Sequence, residues 1–298
     1  MATSFLADAG TGRACRFFDD DFQRGLARWN RARLAPGFPD SDWPGARERD
    51  GRMIRLEGEF LDYLRSQIAD EAAGAPTDPD GFLAWFEALR DHGPGQNDPL
   101  FQWLAEEAGR DQMRWFLGQE AAGEAGFDDL LSYTQVRMPA RAKLELARHY
   151  WDEMGRGNPK GMPGPMLDVL IERLGLESDI DATVRESLAL ANAMTGMATT
   201  RRYAWHSVGA LGAIELTAPD RSAATAAGLR RLGFSALERR YFDLHAVLDV
   251  KHSQAWNREA IAPLVEEEPR RATAIAEGAL IRLHCGARCF ERYRSELW

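Results

Sequence analysis

The sequence holds only three cysteines in 298 residues, Cys15, Cys285 and Cys289, and it has no unbroken apolar run of roughly 18 residues. The low, odd cysteine count excludes a disulfide-stapled scaffold and fits a reducing compartment. Without a long apolar run no transmembrane helix is expected. The amino-terminal stretch MATSFLADAGTGRACRFFDDDF lacks a basic segment followed by an apolar one, so no signal peptide and a cytoplasmic location are expected. Positive charge is also short: Lys and Arg number 37 against 46 Asp and Glu, a net charge of −9. That balance argues against nucleic acid as the main partner, because phosphate neutralisation needs a basic surface. Alternating β-branched runs are missing, and so are GxGxxG, P-loop and GxSxG patterns. Nucleotide-binding α/β folds and serine hydrolases thereby lose their signatures.

What is present is helix-forming. Ala, Leu, Glu and Arg dominate, and apolar residues recur at helical spacing in segment after segment. The pattern predicts a loose arm over residues 1–19 and helices over about 22–34, 53–71 and 82–90. Asp98-Pro99, an N-cap followed by proline at the first helical position, opens a helix expected to run to Ala122. Further helices are expected over about 127–136, 139–154 and 166–174. A long segment over 182–216 is expected to kink near Thr199 or Ser207 and to stop at TAPD, before a short helix over 223–232. Ser235 and Glu238 form a capping box that starts a helix reaching about Ala262. Pro269 starts the last helix. The reading is all-α: a helical extension over residues 1–97, then a bundle of seven core helices over 98–298.

The chemistry concentrates in YFDLHAVLDVKHSQAW, Tyr241 to Trp256. His245, Asp249 and His252 are spaced i, i+4, i+7, within about 60° of one another on a helix. Two imidazoles and a carboxylate on an inward stripe are costly to bury unpaired, and a transition metal removes that cost by using their lone pairs. Three other helices offer acidic residues in apolar settings: Glu120 after FLGQ, Glu153 in YWDEMG and Glu215 in GALGAIEL. Each alone could be solvent-facing; Glu215 is the least easily explained that way. Cys285 and Cys289, one turn apart beside His284, lack a second ligand pair and read as buried, inert thiols.

The order Glu120, Glu153, Glu215 and then His245, Asp249 and His252 resembles the haem-oxygenase-like di-iron oxidases and oxygenases, the iron-containing redox enzymes. QEAAGEAGFDDL, LELARHYWDEMGRGNPKG and HSVGALGAIELTAP share the resemblance, which spans about Pro99 to Arg294. It implies a seven-helix haem-oxygenase-like bundle with two irons and no haem. It further implies Glu153 as a bridging ligand, with Glu120, Asp249 and His252 serving mainly one iron and Glu215 and His245 the other. One position departs: the family usually has a histidine ten residues after the bridging glutamate, where this sequence has Pro163. Proline cannot ligate. His149, one turn before Glu153 on the same helix face, is the candidate replacement; otherwise one iron is lost. His206 falls on the opposite face from Glu215 and is no substitute.

A ligand set of carboxylates and imidazoles without thiolate suits Fe, with Mn as the alternative. The expected activity is O2-dependent oxidation of a small organic molecule, with a homodimer as the usual assembly of the fold and no membrane partner. Trp151, Trp205 and Trp256 are candidates for an apolar substrate pocket or for plain core, and Arg201 and Arg202 for binding a substrate carboxylate. The alternatives are a metal-poor, non-catalytic ligand- or partner-binding protein of the same fold, and a cofactor-free enzyme on the same scaffold.

Overall fold

The computed structural model describes residues 16–39, 42–124, 126–176 and 179–298, with the side chains of 122–124 left aside. Cys15 and most of the arm expected over 1–19 lie outside the described residues. Among the described residues there are helices and turns but no strand. Among the described residues, the helices before residue 98 include α1 (Asp20–Leu34), α2 (Trp43–Ala73) and α3 (Pro79–His92). Asp19 caps α1 and Asp78 caps α3, each accepting from backbone N–H groups of the first turn. Phe60 of α2 and Phe86 of α3 are fully buried in the same apolar core as Leu211, so these helices pack on the carboxy-terminal bundle.

Beyond residue 98 come α4 (Pro99–Glu106), α5 (Arg110–Glu124), α6 (Phe127–Thr134), α7 (Ala140–Glu153) and α8 (Pro163–Leu174). They are followed by α9 (Arg185–Thr199), α10 (Ala204–Arg231), α11 (Arg240–Trp256), α12 (Ala262–Glu267) and α13 (Arg270–Leu297). These are more pieces than the seven expected, because long helices are interrupted where side chains from elsewhere satisfy the broken ends. The helix expected from Pro99 to Ala122 stops at Glu106 and restarts at Arg110. There Gly109 N–H donates to the Gln112 side chain at 2.8 Å, and Arg231 donates to the carbonyls of Ala105 (2.9 Å) and Ala108 (2.6 Å). Only the glycine is visible locally; the capping arginine comes from α10. The break between α9 and α10 falls at Thr200, where the chain is extended, close to the expected kink.

The other correction concerns Pro219. The expected stop at TAPD does not occur, and α10 runs through the proline to Arg231. Proline there removes the hydrogen bond to the carbonyl of residue 215, but packing on α4, α11 and α13 holds the helix together. At the start of α11 the Ser235–Glu238 capping box forms, with Ser235 N–H donating to Glu238 at 2.7 Å. It closes a turn ahead of the helix, which begins at Arg240. After Trp256 a π-helical turn, Asn257–Ile261, inserts before α12.

Central α10 meets α13 backbone to backbone. A Cβ at Gly209 would fall 1.8 Å from the carbonyl oxygen of Ile275, and one at Gly278 would fall 1.8 Å from that of His206. Only hydrogen fits at either position. Beside this seam His206 Nε2 sits 2.6 Å from Glu277, which also accepts from Arg65 of α2 at 2.8 Å. His206 thus belongs to a cluster with Glu277 and Arg65. Burial alone would raise the Glu277 carboxyl, but hydrogen bonds from His206 and Arg65 and their charges outweigh it and hold it at about 2. No helix among the described residues is long and apolar enough to cross a membrane.

Glu277→Gln is expected to lower stability by about 3 kcal/mol at neutral pH, as when one partner of a buried pair is removed, read from urea unfolding. The folded carboxyl titrates below its ordinary 4.5, at about 2. Its contribution is therefore present above that ordinary value and lost as pH falls through about 2. The acid limb of the stability curve should flatten in the variant.

Candidate metal centre

Helices α7, α10 and α11 bring His149, Glu215 and His252 together. One ligand atom from each lies within 4.8 Å of the others, and all three residues are buried. α7 places His149 and Glu153 on one inward face, one turn apart, as the spacing required. α11 turns Asp249 and His252 inward and leaves His245 half-buried one turn earlier. Glu120, Glu153, Glu215, His245 and Asp249 all line one cavity of about 130 Å³. The structure therefore brings the sequence-expected residues to one region, with His252 and His149 just behind the cavity wall.

Each imidazole has one nitrogen already committed. His245 Nδ1 is 2.7 Å from the Tyr241 carbonyl and His149 Nδ1 is 3.3 Å from the Glu145 carbonyl, each donating its N–H. His252 Nε2 is 3.1 Å from Asp152 Oδ2. A backbone carbonyl or carboxylate on one nitrogen fixes the tautomer and leaves a lone pair on the other. For His149 and His252 those other nitrogens, Nε2 and Nδ1, are buried without a hydrogen-bond partner, and so is Glu215 Oε2. The Glu215 Oε2 to His252 Nδ1 separation is 3.5 Å, an ion-pair distance. Three inward-facing ligand atoms without hydrogen bonds would be expensive in an all-protein core. They fit a transition metal held by two imidazoles and a carboxylate.

The electrostatics agree. Burial pushes the Glu153 carboxyl up to about 8, and the Glu215 charge adds to it against the pull of His252. Glu153 is thus protonated at neutral pH in the metal-free chain. Burial lowers the His149 imidazole, while for His252 the cost of burial is outweighed by Glu215 and Asp152, which raise it. A metal held here would take Glu153 in its deprotonated form, so its binding would be linked to pH.

Two supporting residues were not singled out from sequence. Asp152 is held by Arg156 at 2.7 Å and Arg148 at 3.6 Å while it accepts from His252. Its arginines at i±4 are a signal in the sequence, but one that also describes any solvated helix face. Tyr293 of α13 donates to Glu120 Oε1 at 2.9 Å across 173 residues, which no local pattern announces. Two expectations relocate. Arg201 donates to the carbonyls of Tyr133 and Thr134, tying α9–α10 to α6 and not facing the cavity. Trp151 is exposed, Trp205 lies under the Arg271 guanidinium, and Trp256 is core beneath His149, so none of them lines the cavity. Cys285 and Cys289 are buried, and burial raises both thiols, as their inert reading implies. Pro163 lines the cavity as the first residue of α8.

The sequence model of a family described as iron-containing redox enzyme matches residues 114–287, from within α5 to within α13. No curated protein matches the chain. The all-α architecture agrees with the haem-oxygenase-like fold that the resemblance implied.

The metal-free geometry sets two outcomes. Asp152→Ala, which frees the second nitrogen of His252, should weaken Fe(II) binding about 10- to 100-fold in anaerobic titrations, with helical circular dichroism unchanged. Glu153, held above its ordinary 4.5 at about 8, contributes stability below the ordinary value that is lost as pH rises through the folded one. Metal-free Glu153→Gln should therefore unfold at higher urea than wild type above about pH 8, and the gap should close towards about pH 5.

Proposed function

Because the chain belongs to the family of iron-containing redox enzymes, we propose that it is an O2-dependent non-haem iron oxidase or oxygenase of a small organic molecule. The proposed centre holds two irons. Its ligands are Glu120, Glu153, Glu215, His245, Asp249 and His252, with His149 taking the part of the histidine replaced by Pro163. The observation that carries this reading is the buried trio of His149, Glu215 and His252, whose inward atoms have no hydrogen-bond partner in the protein. His149 is a member of that trio, which supports a repaired ligand set.

Iron bound here supplies the redox chemistry and the O2 activation. The protein supplies the rest. Asp152 and the carbonyls of Tyr241 and Glu145 orient the three imidazoles. Tyr293 fixes one oxygen of Glu120, which lines the cavity. Phe116, Phe127, Leu167 and Phe242 give the cavity an apolar wall that limits water. Glu153, a neutral acid until metal binds, is placed to take part in proton balance when iron loads.

The test is iron content after anaerobic Fe(II) loading, followed by O2 uptake. Two irons per chain and stoichiometric O2 consumption are expected. Glu215→Ala or His252→Ala should lose iron and O2 uptake together, and His149→Ala should drop the content to one. Wild-type protein with a single iron, and no effect of Glu120→Ala, would point to a mononuclear centre on His149, Glu215 and His252. No iron in a folded chain would overturn the oxidase reading.

A further inference from the structure

The chain has only three lysines among its 298 residues, Lys143, Lys160 and Lys251. All three stand on one part of the molecule. Lys143 is on α7, Lys160 is in the turns that follow it, and Lys251 is on α11, which packs beside α7. Over residues 140–161 and 247–256 every Lys and Arg is exposed. The acidic groups of the same stretches are turned inward: Glu145, Glu153 and Asp249 are buried, and the Asp152 side chain is 7% exposed. Arg148 and Arg156 share Asp152, at 3.6 and 2.7 Å, but no ion pair among the described residues engages the three lysines. A chain with a net charge of −9 therefore shows a basic face here.

The same face exposes apolar side chains. Leu144 and Trp151 lie two turns apart on α7, and Val247 and Val250 lie one turn apart on α11. A Cβ at Gly157 would fall 3.1 Å from the Trp151 Cη2, so the turn after α7 is braced against the indole. Single exposed apolar residues need no explanation, but a set on adjoining helices marks a contact surface. A braced tryptophan ringed by basic groups has the make-up of an interface centre.

This face also lies over the metal centre. Asp152, next in the chain to Trp151, accepts from His252 Nε2 at 3.1 Å, and the His252 and His149 rings are 4.3 Å apart. From Arg156 at the surface the way inward runs through Asp152 to His252. Electron tunnelling falls off exponentially with distance, and here one carboxylate and one imidazole separate the outside from the centre.

We propose that this face docks a small acidic protein that carries single electrons, which returns oxidised iron to the ferrous state by way of Asp152 and His252. This rests on the O2-dependent iron reading. Each ferric ion takes one electron and each carrier gives one, so two reduced carriers restore a two-iron centre and leave oxidised, with no bond made or broken. Coulomb attraction steers an acidic carrier to the lysines, whose flexible, hydrated heads suit a brief contact of small area.

The test uses the full chain and a plant-type [2Fe–2S] ferredoxin as the acidic probe. Calorimetric binding should weaken as salt is raised. It should fall at least about tenfold when Lys143→Glu, Lys160→Glu and Lys251→Glu are combined, the order of lost electrostatic steering. The same three positions changed to arginine should bind like wild type. Arg47→Glu, Arg52→Glu and Arg55→Glu on α2, exposed and outside this face, alter net charge equally and should lose far less. Trp151→Ser should weaken binding and keep its salt dependence. In ferric-loaded protein, stopped-flow reduction by reduced ferredoxin should slow in parallel in the lysine-to-glutamate variant. Reduction by dithionite should keep the wild-type rate, which a misfolded variant would not preserve. No binding, binding unchanged by the lysine reversals, an equal loss in the α2 variant, or binding without electron transfer would overturn the proposal and leave the iron reading standing. So would a wild-type dimer in sedimentation that the lysine reversals split, since a second copy would then cover the face. If no iron is taken up, the iron reading fails by itself and the electron route with it. Lysine-dependent ferredoxin binding then sustains the docking surface, and its absence removes it.

Discussion

An ionisable side chain inside a helical core has three ways to avoid the cost of an isolated buried charge: it pairs, it gives up its charge, or it ligates. This bundle shows the first two and holds a cluster that fits the third. Glu277 pairs, between His206 and Arg65, and its carboxyl is held far down as a result. Glu153 gives up its charge in the metal-free chain. His149, Glu215 and His252 do neither completely, since each keeps an inward atom without a hydrogen bond. The first cluster closes the α10–α13 seam and is finished by protein alone. The second is left incomplete by protein and has the donor set that fits a metal. Both lie along α10, the helix that carries His206 near one end and Glu215 midway.

The helical scaffold serves the second cluster through its outer partners as much as through the ligands. Asp152 and the Tyr241 and Glu145 carbonyls hold the far sides of the imidazoles, and the residues that supply them lie on the same helices as the histidines or face them across α7 and α11. Ligand orientation is thus decided before any ion arrives, which lowers the entropy lost on binding. Trp256, buried with its indole N–H donating to the Val208 carbonyl at 3.2 Å, supports His149 from behind.

Much of this was legible in the sequence, for particular reasons. HxxxDxxH declares its face because helical period and ligand chemistry coincide over eight residues. Glu215 stood out as a charge in an apolar run. His149 could be named because it shares a face with Glu153, and the bundle folds that face inward. Other features depend on contacts across the fold. The stop after Glu106 is finished by Arg231, more than a hundred residues away. α10 passes through Pro219 because three neighbouring helices hold it, against the local signal to stop. No local pattern marks Arg282, which lines the cavity and lies across Gly286.

The cavity has two unlike sides. Its α10 wall is pinned to α13 through Gly209 and Gly278, where no side chain stands between the backbones. That contact cannot slide or tilt without a collision, so the α10 wall that carries Glu215 is held in place against α13. Across from them the lining includes Gly126, Met162, Pro163 and Gly164, at or beside the short non-helical joins around α6 and α8. The site therefore has a fixed ruler on one side and an adaptable template on the other. Substitutions in the joins can retune which molecules fit while Glu215 and the seam behind it stay in place, so the shape of the cavity and the position of its buried carboxylate are separable by position in the chain.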